Sequence, residues 1–354
     1  MLGLEGFDDD AERQARFFDE RIPVYGRLLR ALGRVFHDDP GVRARIEAAW
    51  AAREFHAYYE RPLLACAALR SDALADSGHP LSDAIGVGSD PSRLDESSLL
   101  LALAPEMPVW GALRARYVQT NEVTRAIAWR LPQSLLPPGS PLVLADLGCS
   151  AALNLVADRL DLQWSDDTTG APIALAPPSC VIARVGLDRS PIDARVPADR
   201  AWLRACLWPG QTERMARLDA ALAAAESALG AGEIALLAAS AGDMPAHLER
   251  LAAENPTARV LAYHTIFAEY LAPDDRASFD HEMEAWLRRH PTRAIWVAFE
   301  SAAPRTPGPA ALRVRLDDRS FLLASSDYHP RSLALLPGVS TQLAEALSAL
   351  GSPR

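Results

Sequence analysis

The stretch LVLADLGCSAALNLVADRL, residues 142–160, joins a short apolar run to a helix-like pattern through an acid, a glycine and several small residues. A buried strand, a tight turn and a helix in this order are typical of α/β proteins. Ligands in open α/β sheets bind beyond the carboxyl ends of the strands, so this turn is a candidate site. Three interpretations are open: a loop for a nucleotide or adenosyl cofactor, a turn that carries a nucleophilic serine, or a plain chain reversal.

Four more strand-like segments follow this stretch, and helical patterns separate them. The strands are predicted in SCVIARVGLDRSP, which ends at Asp188, in EIALLAASAGDM, which ends at Asp243, and in RVLAYHTI and AIWVAFES. Such alternation predicts a mostly parallel sheet that helices cover on both faces. The segment LRVRLDDRSFLLASSDYH predicts a terminal β-hairpin after this sheet.

The chain before the quoted stretch has a different spacing of apolar residues. Residues 10 to about 133 repeat apolar side chains at intervals of three and four, which predicts helices and no strand. The proline-rich segment PQSLLPPGSP, residues 132–141, is typical of a linker. We therefore predict two parts, an all-helical N-terminal region over residues 1–135 and an α/β domain over residues 136–354.

Composition excludes several classes of protein. The net charge of the 354 residues is -10 and no basic run is present, so nucleic acid is not an expected partner. All 36 basic residues are arginine. The absence of lysine excludes the usual Schiff-base enzymes, phosphate-loop NTPases and protein kinases. The four cysteines are scattered without a C-x-x-C pair, so no metal cluster is predicted.

The location in the cell is predicted from two further features. The N-terminus is acidic and polar, which is not typical of a signal peptide. No apolar run approaches the ~18 residues that a membrane span needs. A soluble, cytoplasmic protein without a membrane partner is expected.

Polar residues stand at or just after the predicted strand ends: Asp146, Asp188, Asp243 and His264. A single aspartate after a strand is more often a helix cap or a turn former than a ligand. Three acids on successive strands are more specific to a binding edge. Gly148 permits a tight turn, and Ser150 with its small neighbours permits close backbone approach to a ligand.

Two alternatives at this turn rest on partial motifs. The segment GCSAA is a variant of the G-x-S-x-G turn with Ser150 as nucleophile, and Asp243 or Asp280 and then His329 follow in the chain order of a serine hydrolase. The last glycine of that motif is alanine here. A dinucleotide loop of the G-x-G-x-x-G type would retain only Gly148.

The segments LVLADLGCSAALN, VGLDRSP and AASAGDM resemble the first three signatures of class I S-adenosylmethionine-dependent methyltransferases. The resemblance covers roughly residues 140–300 and implies a Rossmann-like methyltransferase fold with S-adenosylmethionine as cofactor. It implies Asp146 and Gly148 at the close of the first strand, Asp188 on the ribose hydroxyls and Asp243 near the adenine amine. Ser150 and Ala152 replace the second and third glycines of the family's loop. The long spacing before Asp188 predicts an insertion across about residues 161–180.

The whole chain also resembles a bacterial family catalogued as domain of unknown function 2332. The segments that carry this resemblance are YVQTNEVTRA, LADLGCSAALNLVADRL, GLDRSPIDA and WLRACLWPGQTERMARL. The resemblance supports the order of the two parts and implies no activity.

The polar segment RYVQTNEVTR, residues 116–125, lies just before the linker. We interpret it as a helix in which Asn121 and Arg125 share a face. One hypothesis is that the helical region covers the cofactor cleft and that these two residues line the pocket and face a carboxylate. The other is a solvated helix face with an Asn–Glu–Arg network.

These observations together predict methyl transfer from S-adenosylmethionine to a small molecule or a protein side chain. His264, beside the expected methyl-donor position, is the candidate general base, with a structural histidine as the alternative. Asp146, Gly148, Ser150, Asp188, Asp243, Asn121 and Arg125 are the candidate cofactor-binding residues, and no metal site is predicted. A non-catalytic protein that retains the fold and binds a metabolite or partner is the first alternative, and a serine hydrolase is the second.

Overall fold

The structure, a computed structural model, describes residues 6–178, 180–303, 306 and 308–350. Every element that it describes before Leu142 is helical. These elements are α1 (Phe7–Phe18), α2 (Pro23–Asp38), α3 (Pro40–Trp50), α4 (Glu60–Ala75), α5 (Ser82–Ile85), α6 (Glu96–Ala102), α7 (Val109–Ala115) and α8 (Ile127–Ser134), with short 3-10 helices at Pro91–Arg93 and Val123–Ala126.

Local sequence explains where several of these helices begin. Pro23 and Pro40 occupy the first turns of α2 and α3, where the missing N–H costs nothing. The Asp39 side chain caps α3 by accepting from the N–H groups of Gly41 and Val42. The helices then bury their apolar faces, as the three- and four-residue spacing predicts.

Among the described residues, nine strands form one sheet in the order β2-β9-β8-β7-β6-β5-β1-β3-β4. The pairs β1/β3, β1/β5, β3/β4, β5/β6 and β2/β9 are parallel, and the other three neighbouring pairs are antiparallel. The predicted mixed α/β fold with a mostly parallel sheet is therefore confirmed. The strands are β1 (Leu142–Leu147), β2 (Ser165–Asp166), β3 (Val181–Asp188), β4 (Ile234–Ala238), β5 (Arg259–Thr265), β6 (Ala294–Ser301), β7 (Ala310–Leu316), β8 (Arg319–Ser326) and β9 (Ser332–Leu335).

The parallel centre of the sheet brings the predicted strand ends to one edge. All six residues of β1 are buried. Asp146 lies level with Gly186 on β3 and with Tyr263 on β5. His264, one residue further along β5, lies level with Ala298 on β6. The carboxyl ends of β1, β3, β5 and β6 thus meet at the same edge, as neighbouring parallel strands require.

The antiparallel side of the sheet contains more than the predicted hairpin. Strands β7 and β8 form that hairpin across residues 317 and 318. Strand β9 then pairs with β8, and helix α13 (Val339–Ala349) follows it. The short strand β2, which lies inside the predicted insertion at 161–180, pairs with β9. The sequence patterns had indicated neither β9 nor β2.

Helices separate the parallel strands as predicted, with one correction. The helices α9 (Pro197–Ala205), α10 (Thr212–Gly230), α11 (Met244–Glu254) and α12 (Pro273–Arg289) lie between successive parallel strands in the chain, and Pro209 lies between α9 and α10. The predicted helix after β1 is instead a 3-10 helix, Leu153–Arg159. Trp129 donates to the carbonyl of Asn154, and Arg184 donates to the carbonyl of Leu155. An α-helix would have used both carbonyls for its own hydrogen bonds.

The helix predicted across residues 116–125 is also corrected. Helix α7 ends at Ala115, residues 116–122 have no helical structure, and a 3-10 helix occupies Val123–Ala126. Side chains distant in sequence take up the carbonyls of this segment: Arg53 donates to Arg116 at 2.6 Å and Trp202 donates to Tyr117 at 2.9 Å. The shared helical face of Asn121 and Arg125 therefore does not exist.

The chain forms two compact units by its internal contacts. One contains the described residues of Met1–Asn121 and Pro197–Leu218, and the other contains those of Glu122–Val196 and Asp219–Arg354. Residues 122–135 thus group with the sheet, whereas 197–218 group with the first helices. In the second unit, α11 and α12 pack on the sheet, with Leu248, Phe279 and Trp286 buried beside Val143 and Val260. Within the described part of the chain, no helix has the length and apolar character needed to cross a bilayer.

Candidate functional site

The turn after β1 is bonded to the end of β3. The backbone N–H groups of Gly148 and Cys149 both donate to the carbonyl of Leu187, at 2.7 and 3.1 Å. The N–H of Ser150 donates to Asp188 Oδ2 at 2.9 Å. Three consecutive amides are therefore held by the last two residues of β3, which fixes the shape of this turn.

The turn contains three residues in the left-handed conformation. Gly148 has φ +76°, Ser150 +52° and Ala152 +56°. Glycine adopts such angles freely, whereas other residues pay roughly 1–2 kcal/mol. A Cβ added to Gly148 would lie 2.4 Å from Cδ2 of Phe267. Gly148 is therefore required both by its backbone angle and by the aromatic ring packed against it.

Asp188, the predicted ribose ligand, already holds two backbone amides. Its Oδ2 accepts from Ser150, and its Oδ1 accepts from the N–H of Ser190 at 2.9 Å. The side chain is half-buried rather than enclosed. Each oxygen of an ionised carboxylate can accept two hydrogen bonds, so one acceptor position on each oxygen remains for a ligand hydroxyl.

Asp146, the acid at the end of β1, points into the sheet's interior. It is 2% exposed, and its Oδ2 accepts from the Tyr263 hydroxyl at 3.0 Å. Burial raises the pKa of Asp146 to about 7, and the charge of Asp188 acts in the same direction, while the Tyr263 hydrogen bond opposes them. The Asp146 carboxyl therefore forms a hydrogen bond to a tyrosine of β5 and is not exposed at the surface.

Asp243, the predicted adenine ligand, lies five residues beyond the end of β4, at the start of α11. Its carboxylate accepts from the Ser240 hydroxyl at 2.6 Å and from the Ser240 N–H at 3.2 Å. The residue is exposed. These bonds hold its pKa below the usual value. The geometry is that of a turn former.

His264 is paired with a residue that sequence reasoning missed. Its Nδ1 lies 2.6 Å from Oε1 of Glu300, which stands one residue before the end of β6. The same oxygen accepts from the backbone N–H groups of Phe267 at 2.8 Å and Ala268 at 3.3 Å. Applying the strand-end argument to the predicted segment AIWVAFES would have indicated Glu300.

Aromatic rings enclose this histidine. Ring centroids of Phe267, Phe279 and Trp296 lie 5.7, 5.7 and 6.0 Å from the His264 ring. His264 Nε2 and Glu300 Oε2 are both buried, and within the described structure neither has a hydrogen-bond partner. Buried polar atoms without partners are uncommon in folded proteins, so this pair requires an explanation.

Arg125 and Asn121 belong to different units. The Arg125 side chain is buried, and its Nε donates to the carbonyl of Tyr328 at 2.8 Å. Burial lowers the pKa of Arg125, and the nearby side chains of Tyr270, Glu122, Glu300 and Glu269 oppose this effect. Asn121 is buried in the other unit, where its amide donates to the carbonyl of Leu203 at 2.8 Å. Their roles in cofactor binding stay predictions.

Further contacts between polar side chains involve Tyr328 and its neighbour His329. The Tyr328 hydroxyl lies 3.0 Å from Ser301 Oγ, and Ser301 in turn donates to Glu269. His329 Nδ1 lies 3.2 Å from Glu122 Oε2. His329 is therefore placed beside Glu122 rather than in contact with the predicted serine nucleophile.

Ser150 itself does not form the contact that a nucleophile needs. Its Oγ is buried and has no hydrogen-bond partner within the described ranges. A catalytic serine is activated by a base within hydrogen-bond reach. The described ranges also contain no group of three His, Cys, Asp or Glu side chains that could hold a metal ion.

Residues 8–334 match the model of a family described as an uncharacterized protein conserved in bacteria, DUF2332. The match covers most of the chain, and the chain belongs to this family. No curated protein matches the sequence.

Proposed function

We propose that this protein binds S-adenosylmethionine at the carboxyl edge of its sheet and transfers the methyl group to a small molecule or a protein side chain. One observation carries the proposal: Asp188 at the end of β3 accepts from the amide of Ser150 in the turn after β1. The sequence here resembles class I methyltransferases, in which the corresponding acid binds the ribose hydroxyls. The acid and the turn that the resemblance implies are thus neighbours.

The strand order supports a ligand at this place. The parallel strands run β4-β3-β1-β5-β6 across the sheet. Omitting the short β2, this is the third, second, first, fourth and fifth strand in chain order, as in nucleotide-binding doubly wound sheets. The order reverses between β1 and β5, where such folds bind their ligands. Gly148 follows β1 and Phe267 follows β5, so both border this crevice.

The residues of the turn fit an adenosyl ligand. Asp188 has acceptor positions left for ribose hydroxyls. The buried Ser150 Oγ has no hydrogen-bond partner among the described residues and can donate to a ligand oxygen or nitrogen. Ser150 and Ala152 adopt the left-handed angles that glycines adopt easily, so the turn has a glycine-like shape without those glycines. The Phe267 ring packs against Gly148 and would have to move when a ligand enters.

Bound S-adenosylmethionine would supply a methyl group activated by the sulfonium charge. The contribution of this chain would be mainly to position the two reactants, which is worth several kcal/mol in bimolecular reactions. His264 would accept a proton where the acceptor must lose one. Asp146, which is buried and accepts a hydrogen bond from Tyr263, would support the turn after β1 and would not contact the ligand.

The second candidate function is metabolite binding without catalysis. The observation in its favour is the position of the Phe267 ring, which packs against both Gly148 and the His264 side chain. The ring therefore separates the candidate base His264 from the turn that would bind the ligand. A serine hydrolase finds less support, because Ser150 Oγ has no base within hydrogen-bond distance in the described structure.

Calorimetric titration with S-adenosylmethionine and S-adenosylhomocysteine tests the proposal. We expect both to bind, and we expect adenosine to bind more weakly. The matched variants are Asp188→Ala, which should lose affinity, and Asp243→Ala, which removes an exposed turn acid and should retain it. Binding without methyl transfer to any acceptor fraction would favour the second candidate. Absence of binding of both compounds to the folded protein would contradict the proposed methyl transfer.

A further inference from the structure

The pairing of His264 with Glu300 fixes which ring nitrogen carries the proton. An ionised carboxylate only accepts hydrogen bonds, and Oε1 of Glu300 already accepts from the Phe267 and Ala268 amides. Nδ1 of His264 must therefore be the donor in the 2.6 Å contact. In the neutral imidazole the other nitrogen, Nε2, then carries the lone pair and is ready to accept a proton.

Of the two ring nitrogens of His264, the described structure gives a hydrogen-bond partner to Nδ1 and none to Nε2. Nε2 is buried without a partner in the described structure, at a cost of about 1–3 kcal/mol for an unsatisfied group. Glu300 Oε2 is buried and unpartnered as well. Two neighbouring atoms, Nε2 of His264, which can accept a proton, and Oε2 of Glu300, whose carboxylate can stabilise the resulting positive charge, thus have no hydrogen-bond partner in the described structure.

Phe267 separates this pair from the crevice beside β1. Its ring lies 5.7 Å from the His264 ring and in contact range of Gly148. The preceding residue, Ile266, has φ +50°. A β-branched residue at such an angle is a strained outlier, at a cost of about 1–3 kcal/mol. Rotation of the Phe267 side chain would open the space over Gly148 and His264 together, while the Phe267 and Ala268 amides keep their hydrogen bonds to Glu300.

We infer that His264 and Glu300 form a proton-accepting pair, that Phe267 covers it, and that the acceptor of the reaction is a compound with an ionisable hydroxyl on a planar ring, such as a phenol. This inference rests on the proposed function, because it specifies its acceptor. A planar ring fits the space of the Phe267 side chain, between the Gly148 turn and the rings of Phe279 and His264. The hydroxyl proton passes to Nε2, and its electron pair stays on the oxygen. Glu300 is a positioning residue, since it acts through His264.

The first test needs no substitution in the pair. In 15N-histidine-labelled protein, the His264 ring should show a protonated Nδ1 and, in its neutral form, an unprotonated Nε2, with the signal assigned by its loss in His264→Gln. Diethyl pyrocarbonate should modify the exposed His37 and His281 quickly and His264 slowly. An Nε2–H tautomer, or His264 modification as fast as that of His37, would overturn the inference.

The second test uses 4-nitrophenol as a coloured hydroxyl probe. Phe267→Ala, or the milder Phe267→Leu, leaves a ring-sized apolar space of the kind that binds small aromatic molecules. We expect either folded variant to bind the probe and to increase its yellow phenolate form at a pH below the probe's own pKa. His264→Gln in the same background should abolish the increase. Glu300→Gln should reduce phenolate binding about tenfold, equivalent to ~1.4 kcal/mol.

The 4-nitrophenol experiment has one outcome that supports the inference and two that contradict it. Phenolate formation that depends on His264 and Glu300 supports the pair. Binding of the probe without phenolate, or phenolate that persists in His264→Gln, overturns it. Titration of the wild type with S-adenosylhomocysteine is a separate readout of the proposed function. A failure of cofactor binding with a positive probe result, or the reverse, therefore shows which of the two inferences is wrong.

Discussion

The backbone N–H of Ser150 donates to Oδ2 of Asp188 at 2.9 Å, across the gap between the ends of β1 and β3. This bond makes the turn after β1 dependent on a carboxylate 38 residues later in the chain. A ligand that uses Asp188 would therefore also sense the shape of the turn.

Replacement of Asp188 tests this coupling. Asp188→Ala removes the acceptor positions for a ribose and releases the Ser150 amide, so we expect S-adenosylhomocysteine affinity to fall more than tenfold, about 1.4 kcal/mol. Asp188→Asn, which retains one oxygen for Ser150, should lose less. Isothermal titration of both variants measures the change, and circular dichroism checks their folding. Equal affinity in wild type and a folded Asp188→Ala protein would exclude the ribose role.

Ser150 should not behave as a nucleophile. Its Oγ has no base beside it in the described structure, so we expect no covalent labelling of the wild type by a fluorophosphonate probe and no Ser150-dependent ester hydrolysis. Intact-mass measurement after incubation decides the first point. Stoichiometric labelling that disappears in Ser150→Ala would establish the hydrolase in place of the methyltransferase.

Gly148 should be much less replaceable than a glycine with the same backbone angle elsewhere. Gly148→Ala combines φ +76° with a Cβ 2.4 Å from the Phe267 ring, whereas Gly139→Ala has φ +78° and open space. We expect Gly139→Ala to lower the free energy of unfolding by about 1–2 kcal/mol, the left-handed penalty, and Gly148→Ala to lower it by more. Urea unfolding measures both.

The clash at Gly148 can be separated from the strain by a double-mutant cycle. In the Phe267→Ala background the ring is absent, so Gly148→Ala should cost no more than Gly139→Ala does in the wild type. If its cost stays unchanged, the Phe267 ring does not pack over this turn.

Asp146 should make stability depend on pH in a defined direction. Burial raises its pKa from 3.8 to about 7, so the folded state holds a proton that the unfolded state releases. The contribution of the Asp146 carboxyl to the free energy of unfolding is then largest below about pH 4. It is lost as the pH rises towards 7, by up to about 1.4 kcal/mol per pH unit. Asp146→Asn keeps an acceptor for Tyr263 but cannot ionise.

The measurement is the difference in unfolding free energy between Asp146→Asn and the wild type. This difference should move in favour of the variant as pH rises from 4 to 7 and then stay constant. A difference that does not vary with pH over this window would show that the Asp146 carboxyl is not shifted.

Local sequence patterns located the sheet because its strands are apolar runs bounded by turn residues. The strands predicted at the start of residues 142–160 and in SCVIARVGLDRSP, RVLAYHTI and AIWVAFES are present at Leu142–Leu147, Val181–Asp188, Arg259–Thr265 and Ala294–Ser301. The end of the strand predicted in EIALLAASAGDM was placed too late: β4 stops at Ala238, and Asp243 belongs to the turn before α11. A run of small residues between them, AASAG, gave no local signal for the boundary.

Other errors arose from contacts between residues that are distant in sequence. The helix predicted at 116–125 is absent because Arg53 and Trp202 bond its carbonyls. The pairing of His264 with Glu300 joins residues 36 apart in sequence. Sheet register alone brings them together, and no pattern within either strand encodes it.

The two edges of the sheet differ in their capacity to recruit another strand. At one edge of the sheet, the last strand, β2, has only two residues. Its outer edge forms a bridge to Pro172, which has no backbone N–H to donate. That margin cannot template the addition of a further chain. On the other side β4 presents five residues with no strand beyond it in the described sheet. Self-association by strand addition, if driven by high concentration or partial unfolding, would therefore proceed in one direction only and stop at pairs joined edge to edge through β4.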